Sequence, residues 1–187
     1  MENSFIKVID NFLPPLIQNN IESILFSNRS DVYENMEYRF LNNLTGTQKE
    51  KIEYGIGNTF CGEGKMFASC EPLLAPLYIL SYHENFLIKK IIQARTFISF
   101  PDPNPRVLTP HIDYNYPHYV LLYYTNDSDG DTIIYKNKET LEILEKVSPR
   151  KGRALLFDGR LWHAGSVPST KPRSVINYNF NVLNLKS

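Results

Sequence analysis

The hydrophobic pattern of the chain changes character near residue 95. Before it, residues 5–14 alternate apolar and polar side chains, as a short strand does. After Pro14 and Pro15, residues 16–25 place apolar side chains at helical spacing. Beyond residue 95, short β-branched and aromatic runs are separated by Pro, Asn, Asp and Gly. The pattern predicts helices with some strands first, and then a succession of strands.

Three other segments lie before residue 95. Residues 33–40 form a candidate strand, and the glycine-rich residues 55–65 are predicted to be a loop. This loop lacks the G-x-x-x-x-G-K-[ST] pattern of a phosphate-binding loop. Residues 72–93 have the apolar spacing of one broken amphipathic helix or of two consecutive ones.

The second half of the chain predicts five strands. They are short, rich in aromatic and β-branched residues, and joined by turn sequences. These strands correspond to RTFISF, HYVLLYY, DTIIYK, GRALLF and RSVINYNF. Helices gathered in the first half and strands in the second favour an antiparallel sandwich or barrel supported by helices over a βαβ fold.

Composition narrows the class of protein. Apolar residues make up 42% and charged residues 21% of the 187 positions, as in ordinary globular domains, so we expect a single domain over residues 1–187. Twenty basic and twenty acidic residues cancel, which argues against nucleic acid or an anionic membrane as a partner. Cys61 and Cys70 form no C-x-x-C pair and are predicted to be reduced thiols. Without a signal peptide or apolar span, a cytoplasmic location is expected.

The segment 109–124, TPHIDYNYPHYVLLYY, carries the candidate chemistry. His111 and Asp113 are two residues apart, so on an extended backbone their side chains point the same way. His163 follows at the end of a predicted strand, and Arg173 opens the last one. The alternative is an aspartate that caps a turn, two incidental histidines and an arginine in a surface ion pair.

The order H-x-D, then His, then a basic residue about ten positions further on resembles the Fe(II)- and 2-oxoglutarate-dependent oxygenases, in particular their prolyl 4-hydroxylase-like branch. Two imidazoles and one carboxylate on one face of iron leave adjacent coordination positions open. The resemblance implies metal binding by His111, Asp113 and His163 and O₂ as co-substrate, with ascorbate as a candidate reductant. It also implies that Arg173, whose planar fork suits a carboxylate, anchors 2-oxoglutarate.

The resemblance covers about residues 95–182. It implies a mainly β (α+β) fold, with a double-stranded β-helix (jelly-roll, cupin-like) catalytic core at 95–182 and supporting helices and strands at 1–94. The implied activity is a dioxygenase that hydroxylates a C–H bond of a peptidyl residue or a small metabolite. A zinc hydrolase that uses the same ligands and an inactive cupin-like binding module remain alternatives.

Strand alternation nominates further site residues. Tyr124 is predicted either to offer its hydroxyl to the cofactor carboxylate or to pack in the core. Asn177 and Asn179 share a face with Arg173 and are expected on the cavity wall near cofactor or substrate, because buried amides need partners. His118 is assigned to the pocket rim or to a solvated loop. Further residues are expected at the pocket mouth: Arg95, Thr132 and Tyr135.

The chain also departs from the family pattern. Relatives of this branch often carry a tyrosine before the proline that precedes the H-x-D loop, whereas this chain has Phe100 before Pro101. A hydroxyl that would contact the cofactor is therefore missing. An Arg-x-Ser pattern found in some plant relatives is absent as well, because residue 175 is valine.

Overall fold

The computed structural model describes residues 5–26, 38–41, 54–66 and 71–183. Eleven strands and two α-helices lie in these ranges. In chain order they are β1 (Ile6–Ile9), α1 (Pro15–Phe26), β2 (Arg39–Leu41), β3 (Gly55–Gly62), β4 (Lys65–Met66), a 3-10 turn (Glu71–Leu74), α2 (Ala75–His83), β5 (Leu87–Ser99), β6 (Tyr119–Tyr124), β7 (Thr132–Tyr135), β8 (Ile143–Val147), β9 (Ala154–Asp158), β10 (Trp162–Gly165) and β11 (Arg173–Leu183). No helix in these ranges has the length and apolar character needed to span a bilayer.

The strands form two antiparallel sheets. The larger has eight strands in the order β1-β9-β6-β11-β5-β3-β2, with β4 paired to β3. The smaller has the order β10-β7-β8. In the larger sheet β1 lies at one edge and pairs with β9, with Ile6 opposite Phe157 and Ile9 opposite Ala154. The expectation of a mainly β fold with supporting helices is therefore confirmed.

The larger sheet buries both of its faces, and alternate residues of one strand enter different cores. On β6, Leu121 and Tyr123 join the core that includes the buried residues of α1 and α2. Val120, Leu122 and Tyr124 point the other way, into a core shared with the smaller sheet. Since a shift of one residue would exchange these two sets, burial on both faces fixes the strand register. The second face forms the interior between the two sheets.

The glycine-rich segment is strand, not loop. Residues 55–62 form β3, which pairs with β5 and β2. A Cβ at Gly57 would lie 2.9 Å from Leu41 Cδ1 and 3.2 Å from the Thr96 carbonyl oxygen. Glycine is thus required here by close approach of neighbouring strands and does not mark a turn.

The helix prediction for residues 72–93 is half wrong. Helix α2 ends at His83, and Asn85 adopts φ 50°, which breaks the helical backbone. Leu87–Ser99 is then a single long strand, β5, paired with β3 and β11. Its apolar residues suit either structure locally, so pairing on both edges decides the outcome.

The strands predicted in the second half of the chain are present, but two further strands were not predicted. The runs from β6, β7, β9 and β11 are strands as expected, while β8 and β10 were not predicted. Of the candidate strand at 33–40, Arg39 and Phe40 lie in β2, and residues 33–37 lie outside the described residues. β8 is mostly exposed and carries charged residues, so it has little of the apolar pattern of a buried strand.

Candidate metal centre

The two histidines are brought together by the backbone. His111 lies in the connection between β5 and β6 and forms an isolated antiparallel bridge with His163 of β10. The amide of each donates a 2.9 Å hydrogen bond to the carbonyl oxygen of the other. Their ring centroids are 4.6 Å apart. A main-chain clamp therefore sets the separation of the two imidazoles.

Asp113 completes a cluster with these imidazoles. One ligand atom from each of His111, Asp113 and His163 lies within 4.8 Å of the others. The Asp113 carboxylate Oδ1 is 3.6 Å from His111 Nε2, and Oδ2 accepts a 3.1 Å hydrogen bond from Asn177 Nδ2. The predicted triad is thus brought to one point, with two nitrogen donors and one oxygen donor, a set that suits non-haem Fe(II).

Both rings are oriented for binding through Nε2. The Nδ1 atom of His111 lies 3.1 Å from the Thr109 carbonyl oxygen, and that of His163 lies 3.1 Å from the Leu161 carbonyl oxygen. A carbonyl can only accept, so Nδ1 carries the hydrogen in the neutral form of either ring, and that form keeps a free lone pair on Nε2. Burial lowers the pKa of His163 to about 4, which leaves this ring neutral at neutral pH.

The carboxylate of the triad is ionised. Burial raises the pKa of Asp113, but the adjacent His111, His163 and Arg95 side chains outweigh this effect. The net result is a pKa well below the ordinary range. A neutral His163 imidazole beside a charged carboxylate suits a divalent cation, which binds deprotonated ligand atoms.

Arg173 lies in the same interior, at the start of β11. The side chain is 4% exposed, and Nη2 donates a 2.8 Å hydrogen bond to Thr132 Oγ1. The guanidinium lies over the rings of Phe97 and Tyr124, at 5.7 Å and 5.9 Å from their centroids. Among the described residues, no carboxylate lies within ion-pair distance of it, and Nε is buried without a hydrogen-bond partner. Burial lowers its pKa.

A buried cation without a counter-ion is costly, because desolvation is not repaid by an ion pair. The alternative of a surface ion pair for Arg173 is wrong, because the side chain is buried and has no carboxylate partner among the described residues. An anionic ligand that enters between the two sheets would supply the missing charge. This corner of the cavity has the chemistry of a carboxylate-binding site.

Tyr124 lies beside Arg173, but its hydroxyl contacts protein. It forms a 2.7 Å hydrogen bond with Thr132 Oγ1, the same atom that Arg173 contacts. Both side chains are buried, so Thr132 sits deep in the cavity and not at the mouth, where it was expected. The Tyr124 hydroxyl donates its hydrogen to Thr132 Oγ1, so the O–H of Thr132 remains as a donor for an incoming anion.

The two asparagines form a chain that leads away from Asp113. Asn177 donates to Asp113, and Asn179 Nδ2 donates to Asn177 Oδ1 at 3.3 Å. Both are buried. Asn177 was predicted to bind the cofactor, but its hydrogen bond instead orients the carboxylate of the metal ligand Asp113. A contact between Asn177 and the cofactor stays a prediction.

Two residues of β5 were not recognised as parts of the centre itself. Arg95, expected at the pocket mouth, has Nη2 3.6 Å from Asp113 Oδ1. Phe97 lies between two arginines, with its ring centroid 5.7 Å from the guanidinium carbons of both Arg95 and Arg173. Phe100, the residue compared with the family's tyrosine, is 39% exposed and lines a separate cavity of about 330 Å³ with Tyr54. The alternation of side chains along β5, which sets Arg95 and Phe97 on the same face of the strand, is the sequence signal that could have identified both residues.

His118 is buried, so the alternative of a solvated loop residue is wrong, and a contact at the pocket rim or with substrate stays a prediction. It is 4% exposed, and the rings of Tyr114 and Tyr116 pack against it. Its Nδ1 lies 2.8 Å from the Tyr116 carbonyl oxygen. A Cβ at Gly159 would lie 2.1 Å from His118 Nε2, so the imidazole fills the space that a side chain at residue 159 would need.

We expect Gly159→Ala to lower the free energy of unfolding by about 1–3 kcal/mol, the usual cost of overpacking. Urea denaturation measures this change. In a His118→Ala background the obstructing ring is absent, so the same substitution should cost less. Equal costs in both backgrounds would show that the contact with His118 is not the cause.

The chain is similar to known proteins in structure but not detectably in sequence. No family model and no curated protein matches the sequence. The structure is similar to a 2OG-Fe(II) oxygenase family oxidoreductase from Burkholderia pseudomallei, with a TM-score of 0.67 and 9% identity over 97% of this chain and 89% of the other. It is also similar to a prolyl hydroxylase from Trichoplax adhaerens in complex with a hypoxia inducible factor peptide fragment (TM-score 0.63, 18% identity, 94% and 82% covered). A prolyl-4-hydroxylase from Pseudomonas putida matches with a TM-score of 0.59 and 14% identity over 97% of this chain and 95% of the other.

At sequence identities this low, the structural similarity shows the fold alone. The two antiparallel sheets are the double-stranded β-helix, or jelly roll, of these proteins, and the predicted fold class is confirmed.

Proposed function

We propose that this chain, which has the fold of the 2OG-Fe(II) oxygenases, is an Fe(II)- and 2-oxoglutarate-dependent dioxygenase that hydroxylates a C–H bond. One observation carries the proposal. A metal-competent His111, Asp113 and His163 cluster and the unpaired buried guanidinium of Arg173 line the same interior between two sheets. The solved structures that resemble the chain support it, since several are oxygenases of this kind.

The residues fit both groups. His111 and His163 would bind iron through neutral Nε2 atoms, and Asp113 would supply the charged oxygen ligand. Arg173 would pair with the far carboxylate of 2-oxoglutarate, helped by the free O–H of the Tyr124 and Thr132 pair. When bound, Fe(II) and 2-oxoglutarate supply the oxidising power drawn from O₂. The protein's own contribution is to orient the ligands and keep water out of the interior.

The zinc hydrolase alternative accounts for the triad but not for Arg173. A hydrolytic site needs a metal-bound water and a general base, and a buried cation without a counter-ion gives neither. The binding-module alternative accounts for the cavity and predicts no turnover. The buried, unpaired charge of Arg173 therefore favours an oxygenase over a hydrolase more strongly than the metal ligands do, because both kinds of enzyme could use the same three ligands.

We also propose a substrate that is either a peptidyl residue or a small metabolite, and a single domain over residues 1–187. β1 and β3 from the first half of the chain share the larger sheet with β6, β9 and β11. This shared sheet supports one folding unit. A cytoplasmic location remains part of the proposal, in line with the free and buried Cys61.

Anaerobic titration with Fe(II) and then 2-oxoglutarate tests the proposal. Chelation of the keto acid by iron in the site should produce a visible absorption band, and admission of O₂ should yield succinate. A protein that binds Zn(II) but gives neither band nor succinate would contradict an oxygenase. A band without succinate would favour the binding module.

A further inference from the structure

Arg95 occupies an unusual position beside the metal centre. It lies on β5 opposite Asn177 of β11 and Thr59 of β3, on the face that lines the interior. Its side chain is 27% exposed, whereas Asp113 beside it is 7% exposed. The guanidinium is therefore more accessible to solvent than the Asp113 carboxylate beside it.

The donors of Arg95 are not used by the protein. Its Nη2 is 3.6 Å from Asp113 Oδ1, beyond the usual 2.7–3.2 Å range of an N–H···O hydrogen bond. No residue in the described ranges accepts a hydrogen bond from it, and Nε is buried and unpaired. Asp113 Oδ2 is already occupied by Asn177. Arg95 thus keeps free N–H groups beside the metal ligands.

The charge balance of the loaded site indicates what kind of group the free N–H donors of Arg95 would bind. Under the proposed function, the charges of Fe(II), Asp113, 2-oxoglutarate and Arg173 sum to zero. Arg95 then adds one positive charge, and Asp113, already counted in this sum, is the only carboxylate of the described residues within ion-pair distance of it. Glu63 and Lys90, two exposed charged residues, form an ion pair with each other. An unmatched, partly desolvated cation attracts one anionic group.

We propose that Arg95 binds a carboxylate of the substrate, and that the substrate is therefore a carboxylic acid oxidised close to its acid group. The inference rests on the proposed function, because 2-oxoglutarate is assigned to Arg173. A planar guanidinium pairs with a carboxylate through two parallel N–H···O bonds. Because Nη2 lies beyond hydrogen-bond range of Asp113, the guanidinium keeps N–H groups for this contact. The stack on Phe97, at 5.7 Å, holds the guanidinium plane in place.

The carboxylate has two natural sources, a free amino acid or the C-terminus of a peptide. Both present the same group to Arg95 and differ in what is attached to the nitrogen. Free L-amino acids represent the first source, and their N-acetyl derivatives represent the second. The corresponding amino-acid amides lack the carboxylate and serve as matched controls.

Saturation-transfer NMR on protein loaded with Zn(II) and 2-oxoglutarate tests the proposal without turnover. We expect one or more acids of the panel to bind, and the matched amide to bind at least about tenfold more weakly, as loss of a charge-assisted pair predicts. Arg95→Gln should lower the affinity for that acid by a similar factor. Arg95→Lys, which keeps the charge but not the fork, should fall between the two. Arg160→Gln, which removes an exposed arginine paired with Asp158, should bind like the parent.

Three outcomes would overturn the inference. The first is that no acid binds, and the second is that acids and amides bind alike. The third is that Arg95→Gln weakens Zn(II) or 2-oxoglutarate binding while acid binding is unchanged, which would make Arg95 a partner of Asp113 or of the cofactor. Failure of the proposed function has a separate signature, because the parent would then not form the visible Fe(II) and 2-oxoglutarate band.

Discussion

Replacement of His163 by alanine is expected to abolish Fe(II) binding and turnover together. His163 is 5% exposed and directs its free Nε2 toward the two other ligands. Without it the centre keeps one imidazole and one carboxylate, and the facial arrangement is lost. We expect the affinity for Fe(II) or Co(II) to fall by more than about 100-fold, beyond what loss of an outer contact costs. Isothermal titration under anaerobic conditions measures this change.

The control for this variant is His83→Ala. His83 is exposed at the end of α2 and distant in sequence from the triad, so its removal should leave metal affinity unchanged. The bridge between His111 and His163 uses main-chain atoms, and alanine preserves it. Circular dichroism should therefore show a folded His163→Ala protein. Near-parental metal affinity in that folded variant would remove His163 from the centre.

Arg173→Gln is expected to have the second large effect, on 2-oxoglutarate rather than on metal. Loss of two charge-assisted hydrogen bonds, each about 1.5–3 kcal/mol, should weaken 2-oxoglutarate binding by at least about 100-fold. Metal affinity should be near parental, because Arg173 donates to Thr132 and to none of the three ligands. Ligand at 100 times its dissociation constant stabilises a fold by about 2.7 kcal/mol. The parent should gain this stability with 2-oxoglutarate, and the variant should not.

Thermal unfolding with and without 2-oxoglutarate reads out this difference directly. Arg150→Gln, at an exposed position of the loop before β9, is the matched control and should retain the full stabilisation. If Arg173→Gln retains it as well, the far carboxylate binds elsewhere. In that case the charge argument for Arg95 fails too, because it assumes that Arg173 is neutralised.

The strands of the second half could be predicted because their signals are local. Runs such as residues 119–124 and 173–183 combine β-branched and aromatic residues, and both are strands with buried faces. β5 was missed in part because LIKKIIQ fits a helix as well as a strand when read alone. Its outcome is set by β3 and β11 on either side, and these pairings are invisible to local pattern.

The same limit explains which site residues could be found. His111, Asp113 and His163 were found because their order along the chain is distinctive, even without knowledge of the contact between residues 111 and 163. Arg95 required the register that sets it opposite Asn177, and half of β5 had been predicted as helix. Phe100 was compared with the family's tyrosine by position in sequence, whereas the β5 residue whose ring contacts Arg173 is Phe97.

The pairing of β1 with β9 has a consequence for synthesis on the ribosome. Ile6 and Val8 find their strand partners only at Phe157 and Leu155, so the first strand must wait until residue 157 has emerged. Contacts this distant in sequence make folding slow and leave an apolar edge exposed to aggregation meanwhile. The three metal ligands are assembled equally late, because the bridge that sets His111 against His163 forms only after residue 163 has been synthesised.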